Sequence, residues 1–278
     1  LQVEIFNLTI LKFLRRENMQ SEIINIQLLQ LVFAYIFVLI LLFIVKQKEI
    51  GHKGEILLAS VRMTIQLVAV GFILEYVFAN QNPYYSLLIL LIMEIFAIYN
   101  IYGRVNSTIS KKMKVIIAGS MFLGTSISIF FFVLAVVGLD PWFRADYFIP
   151  LSGMLIGNSM TGISLGVNHL INGFKDNKSL IENYLMLGAE PETAVKDISN
   201  RAFYNAVLPT INSMMGMGIV FLPGMMTGQI LAGASPIIAI KYQIAIMMGI
   251  LGSVTLTVFF MVNRGAKTFF NSRKQLNI

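Results

Sequence analysis

"FLPGMMTGQILAG", Phe221–Gly233, decides the fold. It is apolar enough to sit in lipid, yet it gathers Pro223, Gly224, Thr227, Gly228 and Gln229. Proline removes a backbone donor and clashes with the preceding turn, so a helix carried into this stretch kinks or breaks at Pro223–Gly224. Pro209, 14 residues before Pro223, is a second candidate break. A broken backbone at membrane depth is tolerated only against protein or a water-filled cavity. The stretch therefore reads as a wall inside a helix bundle rather than a surface turned to lipid.

The flanking sequence agrees. The chain has 278 residues, of which 56% are hydrophobic and 13% charged, against about 25% charged in an ordinary soluble domain. Its mean hydropathy is +0.75. Roughly 20 apolar residues carry a helix across the hydrocarbon core, and seven segments qualify: Ile26–Val45, Ile56–Ala79, Tyr84–Tyr102, Val115–Gly138, Tyr147–Val167, Val207–Leu231 and Pro236–Val262. Short alternating segments, the mark of a membrane β-barrel, do not occur. The fold class is all-α, a polytopic membrane helix bundle of about seven transmembrane helices.

Basic residues orient it. Fifteen of the 21 Lys and Arg follow spans one, three, five and seven, which by the positive-inside rule places the N-terminus out and the C-terminus in. The expected location is a bacterial plasma membrane, as a multi-pass protein in contact with lipid. The net charge of +7 is thereby explained by cytoplasmic loops, with no nucleic-acid partner implied. Residues 1–24, with "LKFLRREN", form a separate segment, interfacial or upstream of a start at Met19. Residues 25–278 read as one permease domain.

The loop at about 169–206 is the long cytoplasmic one. "KSLIENYLMLGAEPETAVKDISN" reads as two short helices: Ser179 and Glu182 have capping-box spacing, Gly188 suits a left-handed helix end, and Pro191 suits the first turn of the next helix. Leu180, Ile181, Tyr184, Leu185 and Leu187 give the first helix an apolar surface, and exposed apolar patches mark contact sites. Glu182 and Gly188, six apart, resemble the Glu…Gly core of the coupling loop in ATP-binding-cassette import permeases. The expected coupling residues are Glu182, Tyr184, Leu185, Leu187, Gly188 and Ala189.

Within the bundle, polar groups are the informative ones. Arg62 and Gln66 sit one turn apart in span two, and Glu94 lies near the middle of span three. A central charge costs about 2.5–3.5 kcal/mol on insertion scales, so Glu94 must meet a partner or cavity. Methionine is abundant, 16 residues in all. Thioethers suit soft ions but more often fill irregular packing. With no cysteine and only His52 and His169, a tight metal site in the bundle is not expected. No phosphate loop, HExxH helix or local nucleophile–base pair occurs. The chain is therefore read as no enzyme and as having no cofactor of its own; ATP and magnesium, if used, belong to a partner subunit.

The blocks "VRMTIQL" (61–67), "IPLSGMLIGNSM" (149–160), "LMLGAEPETA" (185–194), "LPTINSMMGMGIVFLPGMMTGQILAG" (208–233) and "PIIAIKYQI" (236–244) resemble the FetB (YbbM-type) permeases. These are membrane subunits of an ATP-binding-cassette exporter linked to iron, and the family includes plant aluminium-tolerance permeases. The resemblance implies transport in metal homeostasis, a separate FetA-type cytoplasmic ATPase, and a homodimer of permeases. The pathway expected from the broken helix is lined by Met154, Asn158 and Met160 of span five, with Met225, Met226, Thr227 and Gln229. Gln243 of the "AIKYQI" block joins it. A proton-coupled secondary transporter using Glu94 and Arg62 is the alternative, and an intramembrane enzyme, for which no catalytic pair is visible, the third.

Overall fold

The computed structural model describes residues 26–49, 51, 53–105 and 109–277. The segment 1–24 and His52 lie outside the described residues. Among the described residues the chain is helical, with two isolated bridges, Met217 to Phe221 and Phe270 to Leu276, and no strand.

In chain order the helices are α1 (Leu28–Ala34), α2 (Ile36–Gln47), α3 (Lys53–Ala79), α4 (Pro83–Arg104) and α5 (Lys111–Phe131), the last prolonged by a π-helical turn, Phe132–Val137. Then come α6 (Ala145–Asp176), α7 (Lys178–Met186), α8 (Pro191–Ala194), α9 (Lys196–Gly216), α10 (Gly224–Leu231) and α11 (Pro236–Ala266), with a 3₁₀ turn at Lys267–Phe269. Among the described residues six stretches are long and apolar enough to cross a membrane: Leu28–Gln47, Lys53–Ala79, Pro83–Arg104, Lys111–Val137, Ala145–Asp176 and Pro236–Phe269. The protein is a multi-pass membrane helix bundle.

The seventh segment, Val207–Leu231, is not one helix. Its first part belongs to α9, which at 21 residues and about 1.5 Å per residue is long enough to cross. Its first turn and beyond carry Lys196, Asp197, Asn200, Arg201 and Asn205, so apolarity alone does not reveal it. Pro209 lies inside α9 and does not break it. The interruption comes at residues 217–223, and Pro223 and Gly224 stand where α10 begins. Just before Pro209 the helix packs closely on α6: a Cβ on Gly162 would come within 3.6 Å of Ala206 O, and one on Gly166 within 3.3 Å of Ala206 Cβ.

The chain divides into two compact units, residues 1–80 with 227–236, and residues 81–226 with 237–278. In the first, α2 packs on α3, and the hydroxyls of Tyr35, at the α1–α2 junction, and Thr64 are hydrogen-bonded. Arg62 and Gln66 lie here on α3, both exposed.

In the second unit α6 is the central helix, with 16 buried residues. Parallel to it runs α4: Ser86 Oγ donates to Phe143 O (2.8 Å) at one end, and Asn168 Nδ2 to Arg104 O (3.4 Å) at the other. Ser159 and Ser253 join α6 to α11 at 2.8 Å. Small residues set these approaches, as expected where helices associate without a hydrophobic driving force. Gly162 and Gly166 face Val254, Val258 and Met261, whereas Gly157, Gly224 and Gly228 face open space. A Cβ on Gly153 of α6 would lie 3.0 Å from Met93 Cε of α4.

The tightest approach is Gly124, where a Cβ would sit 2.5 Å from Thr257 Cγ2 and 2.9 Å from its Cα. Because backbone must move, Gly124→Val is expected to cost about 1–3 kcal/mol or more, seen as a lower unfolding midpoint in detergent. Gly119→Val on the same helix, where nothing lies within 4 Å, should leave the midpoint unchanged.

Candidate functional site

The break between α9 and α10 builds the site. After Gly216 the helix turns back on itself: Val220 N–H donates to Gly216 O (2.9 Å) and Gly218 N–H to Phe221 O (3.0 Å). Gly218 has φ +84°, a value open to glycine and strained for other residues, so the turn needs it. Ile219 and Val220 at its tip are 91% and 81% exposed. The short α10 then closes with Gly233 in the left-handed region (φ +92°) and Ala234 N–H bonded to Gln229 O at 2.9 Å.

Where the helix is missing, a cavity of about 360 Å³ opens between this segment and α11. Met214, Met217, Gly218, Leu222 and Met226 line one side. The other is one face of α11, Ile240, Gln243, Ile244, Met247 and Met248, at the i, i+3, i+4, i+7, i+8 spacing of a helical stripe. No ionisable side chain is among the lining residues. Gln243, 6% exposed, is the buried polar group: its Nε2 donates to Met217 Sδ at 3.6 Å, and its Oε1 has no partner.

Of the residues expected on the pathway, Met226 and Gln243 meet in this cavity. Met225 is half-buried on α10 beside it but does not line it. Met154, Asn158 and Met160 are on α6 away from the cavity lining; Asn158 is exposed and its Nδ2 donates to Met154 O (2.8 Å). Thr227 and Gln229 fall in the other compact unit, where Gln229 Oε1 is buried without a hydrogen bond. Met247 and Met248 went unmarked in the sequence because they sit in an uninterrupted apolar run, Ile244–Leu251; their four-residue spacing from Gln243 and Ile244 was the available signal.

Glu94 occupies a different place. It is 1% exposed on α4, its Oε1 accepts from the Thr125 hydroxyl of α5, and its Oε2 has no partner. Neither α5 from residue 115 onward nor α6 between Tyr147 and His169 carries an ionisable side chain to balance it. Arg62 belongs to the other unit.

At the far end of α9, roughly 30 Å away at about 1.5 Å per residue, lies the hairpin. It is more compact than the sequence implied: α6 continues to Asp176, and residues 177–195 alone form the hairpin. The capping box is absent, since α7 starts at Lys178 after Asn177, and Glu182 instead faces Lys178 at 3.9 Å. Gly188 has φ +87° and Pro191 is the first residue of α8. Ile181 is fully buried and Leu185 half-buried, so the outward apolar face is Leu180, Tyr184, Met186 and Leu187, 45–85% exposed. Beneath it the C-terminal tail is pinned by Lys267–Glu192 (2.8 Å) and Lys274–Glu190 (2.6 Å). The Lys267 ammonium holds the Glu192 carboxyl below its usual range.

Residues 28–270 match the profile of the Uncharacterised protein family (UPF0014). The chain is 35% identical to the UPF0014 membrane protein YjkA of Bacillus subtilis, over 89% of this chain and 97% of that protein. It is 32% identical to Protein ALUMINUM SENSITIVE 3 of Arabidopsis thaliana over 87% of each. It is 30% identical to the Probable iron export permease protein FetB of Escherichia coli, over 91% of this chain and 95% of that one. No solved structure matches. By a match that runs through every helix lining the cavity and through the hairpin, the chain belongs to the UPF0014 family of membrane proteins.

Proposed function

We propose that the chain is the membrane-spanning permease subunit of an ATP-binding-cassette exporter in metal homeostasis, working with a separate cytoplasmic ATPase of FetA type. The relative named as an iron export permease supports the class. The observation that carries the coupling is the outward face of the hairpin, where Leu180, Tyr184 and Met186 of α7 and Leu187 at its end stand exposed beyond the spanning part of α6. An apolar helix face outside the bilayer is stable when a partner covers it. A docked ATPase moves the hairpin, α9 carries the motion, and the broken segment at its far end alternates access to the cavity.

In this reading the N-terminus is outside, the C-terminus and hairpin are cytoplasmic, and two permeases pair with two ATPases. Residues 25–278 act as one functional permease domain. ATP and magnesium are bound and hydrolysed by the partner. The test is purification of the tagged chain from its native host with assay of the eluate for a stoichiometric cytoplasmic ATPase. Co-purification of that ATPase supports the reading. A chain that purifies alone and transports under a proton gradient without ATP overturns it in favour of the Glu94-dependent secondary transporter.

A further inference from the structure

Five of the ten residues lining the cavity are methionines, Met214, Met217, Met226, Met247 and Met248, in a chain with 16 among 278 residues. Methionine ordinarily fills irregular gaps, but here the side chains border an open volume of about 360 Å³ instead of filling it. Thioether sulfur is a soft donor that selects Cu(I)-like ions, while carboxylate and carbonyl oxygens suit hard ones. The lining offers no carboxylate, imidazole or hydroxyl, and among the described residues no group of three His, Cys, Asp or Glu could hold a metal.

Gln243 points to a cation at the same wall, whose softness the methionines set. Its amide nitrogen is already engaged by Met217 Sδ, which leaves a buried, unpartnered carbonyl oxygen on the cavity wall. A buried acceptor without a partner is unfavourable, and a bound cation relieves it. Because no anionic side chain offsets charge there, a monovalent ion is desolvated at far lower cost than a divalent or trivalent one.

We propose that this cavity is a soft-cation site, holding a monovalent ion such as Ag(I) or Cu(I) weakly through methionine thioethers and the Gln243 carbonyl. As the site of transported cargo it rests on the exporter reading; as a binding site it stands alone. The test is titration of the full chain, in lipid nanodiscs and labelled with [methyl-¹³C]methionine, using Ag(I) as the probe and Fe(II) as the contrasting arm. Individual Met→Leu variants assign the resonances.

With Ag(I), the cavity methionine methyls are expected to shift together and saturate at one ion per chain. Met217→Leu with Met247→Leu, a swap that conserves volume, should weaken binding on the order of tenfold or more. Met63→Leu, on an exposed position of α3, should leave it unchanged. If the double variant does not fold, Met248→Leu, 49% exposed, replaces it and should also weaken binding. Unsaturable shifts, affinity unchanged in the cavity variants, or equal binding of Fe(II) would overturn the proposal. The titration needs neither ATPase nor transport, so its failure leaves the exporter reading standing, and failure of ATPase capture leaves the titration result standing.

Discussion

Replacing Leu180 and Leu187 by aspartate together is expected to abolish capture of the cytoplasmic ATPase and, with it, ATP-driven transport, while the chain still folds. Both side chains are at least half exposed, so the folded chain loses little by the change. Two charges placed in a desolvated contact cost far more than the apolar area they remove, because buried charges need partners. Truncation of central anchors typically costs about 2 kcal/mol or more per residue, so the pair should lower affinity by a factor of roughly 10³. Pull-down against the wild type, with thermal unfolding measured alongside, checks it. Ile181→Asp is the contrast: that residue is fully buried, and the variant should lose the fold itself.

The second large effect concerns Glu94. Glu94→Lys is expected to prevent accumulation of folded protein, because it puts an obligate cation where the helices around it supply no ionisable partner. A charge at the helix centre costs about 2.5–3.5 kcal/mol on insertion scales, and the neutral Thr125 hydroxyl, which also donates to Met121 O (2.6 Å), does not neutralise an ammonium. Glu94→Gln keeps shape and an acceptor for Thr125 and should yield folded protein at wild-type level. Under the ATP-driven mechanism that variant retains transport; under the proton-coupled alternative it has none. Membrane yield and transport in proteoliposomes separate the two.

Much of the fold was legible because lipid enforces simple rules. Length and apolarity placed six of the spans, and Pro191 and Gly188 located the turn of the hairpin. The α9 region was harder. Its polar first half hides it from an apolarity criterion, and Pro209 looks like a break until Gly162 and Gly166 bring α6 against Ala206. The outward face of α7 depends on which side of a short helix meets the body of the protein, and nine residues do not decide that: Ile181 turned inward and Met186 outward. The cavity was half visible. Its broken wall announced itself through Pro223 and the glycines, whereas Met247 and Met248 sit in an unbroken apolar run, where register with Gln243 and Ile244 is the one mark of their face. The α6 residues Met154 and Asn158 carried polarity and sulfur at the expected depth, yet they lie outside the cavity lining.

The native chain contains no cysteine, so a single introduced one is a unique reporter. The most direct test is Met217→Cys, in the break that forms the cavity wall, probed with a membrane-impermeant thiol reagent in the complex with the ATPase. The account predicts labelling from one side of the membrane in the nucleotide-free state and from the other with ATP trapped. Labelling that is absent in both states, or identical in both, would contradict it.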